Sequence, residues 1–168
     1  MTDTIFTYKH LQDFSLGIFR RIGCSEDHAR LATEVLLKAD LRGIDSHGIA
    51  RLSGYVRLWE KKRVNSMPSI RIVHESPSTA VVDGDSGLGL VVAPQAMSIA
   101  IEKAKRAGTG WVAVKNSNHF GIAGYHAMMA LPHDMIGMAM TNASPLVAPT
   151  FSVERLLGTN PIAVAIPA

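Results

Sequence analysis

The densest group of chemically capable side chains lies in the stretch DSHGIARLSGY, residues 45–55. A helix capped by Asp45 or Ser46 would bring His47, Arg51 and Tyr55 close to one face, because they follow at i, i+4 and i+8. In the first helical turn, the dipole favours a neutral imidazole, which can act as a general base near pH 7. The guanidinium of Arg51, one helical turn later, can bind a carboxylate. Spacing alone favours a simpler interpretation, a helix cap with a histidine and an arginine on its surface.

Two further polar stretches interrupt apolar segments. NSNHFG, residues 116–121, follows an apolar strand and places His119 at a strand end, where ligand-binding groups often gather. A hydrogen-bonded turn explains this stretch equally well. In GTNP, residues 158–161, glycine and proline fix a turn while Thr159 and Asn160 can hydrogen-bond a polar ligand. By itself, GTNP is better explained as an ordinary loop.

The spacing of these residues does not match the known patterns of metal, nucleophile or phosphate sites. His47, His119 and Asp45 could converge on a metal, but the sequence has no HxxxH, HExxH or CxxC pattern, and we predict no metal site. Cys24 precedes a helix cap, and GxSxG is absent, which disfavours a nucleophile. The glycines of residues 84–89 follow GxxGxG rather than GxGxxG. They therefore predict a tight strand-to-helix turn rather than a phosphate site.

Composition bounds the class of protein. The chain has 168 residues, of which 47% are hydrophobic and 18% charged, as expected of a globular domain with a real core. The net charge is +3, but the basic residues are dispersed, so we expect no nucleic-acid partner. No apolar run reaches the ~20 residues of a membrane span, and the N-terminus lacks a secretory pattern. The single cysteine fits a reducing cytoplasm, which we predict as the location.

Apolar periodicity predicts a mixed α/β class, with a helical segment over residues 1–66 and a mixed sheet with helices over residues 67–168. Thr7 and Ser25 are expected to cap the first two helices, and Gly43 to end the second. The predicted helices cover residues 8–22, 26–42, 46–62 and 92–107, with a further short one ending near residue 131. The predicted strands cover residues 70–74, 79–83, 110–115, 135–141 and 162–166, of which 135–141 is expected to be buried.

Three motifs in a fixed order indicate that the polar stretches belong to one functional site. They are GIDSHG at 43–48, NSNHFGIAG at 116–124 and LGTNP at 157–161, and DGDSGLG at 83–89 accompanies them. Together they resemble the type-2 malate/L-lactate dehydrogenase family, which includes enzymes acting on malate, L-lactate, sulfolactate and ureidoglycolate. The resemblance extends from about residue 8 to residue 168.

The resemblance implies an oxidoreductase that interconverts a small 2-hydroxy acid and a 2-oxo acid with NAD or NADP. The implied fold is distinct from the Rossmann dehydrogenases, and the implied assembly is a homodimer. It assigns catalytic and substrate-side roles to Ser46, His47, Arg51 and His119. Each histidine is treated as the proton-transfer group in some members. It also places His119 and the turn Thr159, Asn160 and Pro161 near the nicotinamide end of the cofactor.

The chain departs from this family in its length, because family members are about twice as long. We therefore expect an N-terminal portion that lacks much of the cofactor site and binds the cofactor weakly alone. The alternative is a non-catalytic fragment that acts only by association with a partner chain. An apolar segment over residues 162–166 left exposed would favour that alternative.

Overall fold

The computed structural model describes residues 5–168 and contains two compact units, one ending at Ile122 and the other spanning Ala123–Ala168. In the first unit, three helices precede a three-stranded sheet, and a fourth helix connects two of its strands. The helices are α1 (Tyr8–Arg21), α2 (Glu26–Asp40), α3 (Leu52–Glu60) and α4 (Gly89–Ala107), and the strands are β1 (Arg71–Glu75), β2 (Thr79–Gly87) and β3 (Trp111–Ser117).

Side-chain caps fix the starts of α1 and α2. Thr7 Oγ1 accepts a hydrogen bond from the backbone N–H of His10 at 3.2 Å, and Ser25 Oγ accepts one from His28 at 3.3 Å. Both predicted caps are thereby confirmed. After α2 the chain turns at Gly43, whose φ of +68° is readily adopted by glycine.

The helix predicted over residues 46–62 is wrong in its first part. Two short 3₁₀ turns, Asp45–His47 and Ile49–Arg51, precede α3. Gly48 between them has φ −90° and ψ −140°, so the α-helical path is broken at that residue. Consequently neither Asp45 nor Ser46 caps an α-helix, and the i, i+4, i+8 alignment does not describe how the side chains of this stretch meet.

The sheet of the first unit has the order β1-β2-β3. β1 pairs antiparallel with β2, and β2 pairs parallel with β3 across the connection made by α4. Because β2 and β3 are parallel, their carboxyl ends lie at the same edge, where Gly87 pairs with Ser117. The core contains side chains from α1, α2, β2 and α4, and its fully buried members include Phe19, Val35, Leu36, Val82, Leu90 and Val92.

The second unit begins with α5 (Ala123–Met128) and a 3₁₀ turn at Leu131–His133. It continues with β4 (Gly137–Met140) and β5 (Ile162–Ala165), which pair antiparallel. The predicted strand at 135–141 is present, but its predicted burial is wrong. Met138 and Met140 are exposed while Gly137 and Ala139 are buried, as in a strand covered on one face.

The predicted division after residue 66 marks the change from helices to strands, whereas the compact units divide after Ile122. Within residues 5–168, no helix combines the length and apolar character needed to cross a membrane.

Candidate active site

The loop of residues 45–51 is fastened to the end of α2 by Asp40. The backbone N–H of Ile49 donates to Asp40 Oδ2 at 2.9 Å, and a Cβ on Gly48 would overlap the Asp40 carboxyl group. Burial, with a contribution from the nearby Asp45, raises the pKa of Asp40. Asp40 could not be predicted from the sequence, because nothing in its position at a helix end indicates contact with a loop beyond it.

Within this loop, Ser46 links the two residues predicted to do chemistry. Its hydroxyl oxygen lies 2.9 Å from Nδ1 of His47, and its backbone carbonyl accepts from Nε of Arg51 at 2.7 Å. His47 is half-buried and Arg51 is exposed. The loop therefore presents an imidazole and a guanidinium side by side at the surface.

His119 joins this group from the connection that follows β3. Its ring stacks on that of His47, with centroids 5.4 Å apart and planes at 28°. The hydroxyl oxygen of Tyr55, a residue only 2% exposed, lies 2.7 Å from Nδ1 of His119. The predicted helical spacing placed Tyr55 beside His47 but gave it no role. A contact between residues 64 positions apart has no local sequence signal.

The surroundings of both rings favour the neutral imidazole by lowering its pKa. Partial burial, followed by the charge of Arg51, lowers the pKa of His47. Packing that removes water from the ring lowers the pKa of His119 to about 4, with contributions from His47 and Arg51. The direction of this pKa shift agrees with the neutral state predicted for His47. Its cause is burial beside a cation rather than the dipole of an α-helix, which does not begin here.

The glycine-rich residues 84–89, at the end of β2 and the start of α4, contact the segment that leads to His119. Asn118 donates its side-chain N–H groups to the carbonyls of Ser86 at 2.8 Å and Gly87 at 3.0 Å. A Cβ on Gly89 would overlap the backbone of Asn118 and His119. The strand does lead tightly into a helix, as expected, but it continues to Gly87 and the helix begins at Gly89, so only Leu88 connects them. Gly89 admits the neighbouring chain segment at close range.

Asp83, in the middle of β2, supports the same residues through its carboxylate. Its Oδ1 accepts from the backbone N–H of Asp85 at 3.0 Å and from the side-chain amide of Asn116 at 3.1 Å. These hydrogen bonds lower the pKa of Asp83. Asp85, Ser86 and Asn116 all have positive φ, at 49°, 57° and 52°, so this edge holds strained backbone. Strain of this kind persists only where the surroundings determine the conformation, as they do here.

Thr159, Asn160 and Pro161 lie in the second unit, in the segment before β5. Asn160 has φ +36°, and its side-chain oxygen accepts from the backbone N–H of Ala143 at 2.9 Å. Thr159 is exposed. Asn160 thus braces its own loop, and the nicotinamide role given to these three residues stays a prediction.

The clustered residues have a definite chemical capacity. A guanidinium can bind a carboxylate. A neutral imidazole can form a hydrogen bond with an adjacent oxygen or transfer a proton to or from it. Among residues 5–168, no three histidine, cysteine or acidic side chains are grouped to hold a metal ion. The structure brings Ser46, His47, Arg51 and His119 together, and it adds Tyr55 and Asp40 to the same neighbourhood.

Known proteins are similar to this chain in sequence and in the arrangement of their elements. The profile of the malate/L-lactate dehydrogenase family matches residues 6–168. A malate dehydrogenase of Pyrococcus abyssi is 52% identical over 157 residues, which are 94% of this chain and 43% of that protein. An L-sulfolactate dehydrogenase of Methanocaldococcus jannaschii is 48% identical over 150 residues, or 89% of this chain and 44% of that protein.

Solved structures agree with the sequence comparison. The structure of a malate dehydrogenase from Pyrococcus horikoshii superposes with a TM-score of 0.91 at 46% identity, covering 99% of this chain and 50% of that one. The predicted mixed α/β fold is therefore confirmed. This chain spans about half the length of the relatives it matches.

Proposed function

The chain belongs to the malate/L-lactate dehydrogenase family, and from this premise we propose that the whole protein interconverts a small 2-hydroxy acid and its 2-oxo acid by hydride transfer. The observation that carries the proposal is the stacked pair of neutral histidines beside an exposed arginine. Malate and sulfolactate, named for the relatives, are 2-hydroxy acids of this kind, and we propose a substrate of the same class.

Arg51 would hold the substrate carboxylate. Its Nε is engaged by the carbonyl of Ser46, which orients the guanidinium plane, and its terminal nitrogens are donors suited to a carboxylate. A substrate held in this way would place its 2-oxygen near an imidazole of His47 or His119. Fixing a reactant beside a proton acceptor converts an encounter into an intramolecular step.

A nicotinamide cofactor, NAD or NADP, supplies the hydride acceptor when bound. The turn at residues 84–89 does not fit a dinucleotide phosphate, because the backbone of Asn118 and His119 occupies the space beside Gly89. We propose instead that His119 and the turn Thr159, Asn160 and Pro161 hold the nicotinamide end. The exposed hydroxyl of Thr159 is a suitable partner for a carboxamide.

We also propose that the whole protein is a cytoplasmic homodimer, with neither nucleic acid nor membrane as a partner. The dimer is implied by the family resemblance. The location and the absence of these partners are expectations from the lone cysteine and the dispersed charge of the sequence.

Substitution of the clustered residues tests the proposed function, in a chain extended to the length of its relatives. Arg51→Ala should lower kcat/KM about 10- to 100-fold, the worth of a hydrogen bond to a charged group. His119→Ala should lower turnover about 100-fold or more, as expected for loss of a group that donates a hydrogen bond or a proton to the reacting oxygen. The measurement is NADH or NADPH absorbance with malate, lactate and sulfolactate.

Arg57→Ala is the matched control for this assay, because Arg57 is an exposed arginine of α3 that makes none of the site contacts described above. It should keep the activity of the parent. If Arg51→Ala and His119→Ala also keep near-normal activity, the roles proposed for these residues are wrong.

A second candidate function is a non-catalytic fragment that acts by pairing with a partner chain. The exposed apolar side chains in and after β5 favour it, since Ile162, Val164 and Ile166 are 69%, 51% and 65% exposed. For the 168-residue chain alone we expect weak binding of NADH and NADPH or none, measured by calorimetric titration with size-exclusion chromatography. Tight binding by a monomer would contradict the fragment hypothesis.

A further inference from the structure

Two hydrogen-bonding groups converge on one ring nitrogen of His119. The hydroxyl oxygen of Tyr55 lies 2.7 Å from Nδ1, and the backbone N–H of Gly121 donates to the same atom at 3.3 Å. A backbone N–H can only donate, so Nδ1 must offer its lone pair and carry no proton. The neutral ring then holds its proton on Nε2.

We propose that Tyr55 is a positioning residue that fixes His119 as the Nε2–H tautomer, so that His119 presents a hydrogen-bond donor and not a base to the substrate oxygen. The assignment of a substrate oxygen as the partner rests on the proposed function, whereas the tautomer rests on the contacts alone. Tyr55 suits this role because its ring is buried against Phe19, with centroids 6.5 Å apart. Its ring also lies against that of His119, with centroids 5.9 Å apart, and its hydroxyl reaches Nδ1.

His47 differs from His119 in the partner of its Nδ1. That partner is the hydroxyl of Ser46, at 2.9 Å, and a hydroxyl can donate or accept. His47 can therefore gain or lose a proton without losing its hydrogen bond. In contrast, a protonated Nδ1 on His119 would face the N–H of Gly121. The two stacked histidines are thus fitted to different tasks.

These two roles account for every proton and electron pair in the oxidation of a 2-hydroxy acid. In oxidation, the 2-hydroxyl proton passes to Nε2 of His47, and the hydrogen on C2 leaves as hydride to the nicotinamide. The C–O bond becomes a carbonyl whose oxygen accepts from Nε2–H of His119. Reduction of the 2-oxo acid reverses each transfer. The charge that develops on the oxygen meets a donor already in place.

Nitrogen NMR of the histidine rings tests the proposal in the 168-residue chain, without substrate or cofactor. Long-range proton–nitrogen correlation spectra distinguish a protonated ring nitrogen from an unprotonated one, and His119→Gln identifies the signals of His119. We expect Nε2 protonated and Nδ1 unprotonated. In Tyr55→Phe, loss of one hydrogen bond should change the tautomer ratio of His119 by up to about tenfold towards Nδ1–H.

Two matched variants separate positioning from a general effect on structure. Tyr8→Phe removes the hydroxyl of an exposed tyrosine in α1, and Ser46→Ala removes the Nδ1 partner of His47. Both should leave the His119 signals unchanged. A wild-type His119 protonated on Nδ1, or an unchanged tautomer ratio in Tyr55→Phe, would overturn the proposal. Because no activity is measured, this outcome is independent of failure of the proposed function.

Discussion

The two compact units differ in how they treat their apolar side chains. In the first, Phe19 and Leu36 are fully buried, and Tyr55 closes the core on the side of the histidines. In the second, Phe151 and Val153 are 106% and 97% exposed. The first unit therefore contains the core that positions its catalytic candidates. The second presents apolar surface of the kind that other protein segments cover.

This difference teaches where stability and chemistry are encoded in the described chain. The contacts of His47, Arg51 and His119 all arise within the first unit. The turn containing Thr159 and Asn160 is braced by one side-chain contact to Ala143 within a loop of exposed residues. Substitutions in the two units should accordingly have unequal effects.

The two units should differ most in how truncation of a large aromatic side chain changes the free energy of unfolding. Phe19→Ala should lower the free energy of unfolding by about 3–5 kcal/mol, because it empties a buried volume. Phe151→Ala should change it by less than about 0.5 kcal/mol, as for an exposed position. Urea denaturation, followed by circular dichroism at several protein concentrations, measures both. A comparable loss in Phe151→Ala would show that the second unit buries this side chain in solution.

A pair of glycines sharpens the contrast within the first unit, between its site and its surface. Gly89→Ala should lower the free energy of unfolding by about 1–3 kcal/mol, because the new methyl group overlaps the backbone of Asn118 and His119. Gly17→Ala in α1 meets no atom within 4 Å and should raise it by about 0.5–1 kcal/mol. Thermal and urea unfolding give both values. Equal and small effects would mean that the segment carrying His119 can shift freely.

The smallest effect is a dependence of stability on pH that resides in the first unit. The pKa of His119 is about 4 in the folded chain and about 6.5 when unfolded, so the unfolded state binds more protons between these values. Stability should therefore be complete above about pH 6.5 and fall as the pH falls towards about 4. Urea midpoints measured across this range should show a shallower decline in His119→Gln.

His133→Gln provides the control for this pH series, because His133 is an exposed histidine of the second unit. It should leave the decline unchanged. An identical decline in wild type and in His119→Gln would place the pH sensitivity elsewhere.

Elements whose signals are local were predictable from the sequence. Thr7 and Ser25 cap helices because their hydroxyls reach the free N–H groups of the next turn, and that geometry depends only on neighbouring residues. Strand periodicity gave β2 and β3 nearly correct starts. It overstated the burial of β4, because the burial of a strand depends on what covers each face.

The candidate site was predictable in membership but not in geometry. Motif order placed His47, Arg51 and His119 together, whereas helical spacing failed at Gly48, where the chain leaves the α-helical path. Neither the link from Tyr55 to His119 nor the contact of Asp40 with Ile49 could be derived, because both depend on tertiary packing.

The close approach of Asp40 to Gly48 has a consequence for anyone wishing to transplant the motif. The eleven residues of DSHGIARLSGY are not a self-contained module, since the shape of their first turns is set by a carboxylate at the end of α2. A graft of the motif onto another scaffold would need the last turn of that helix as well. The smallest portable unit of this loop is therefore the end of α2 together with the loop itself.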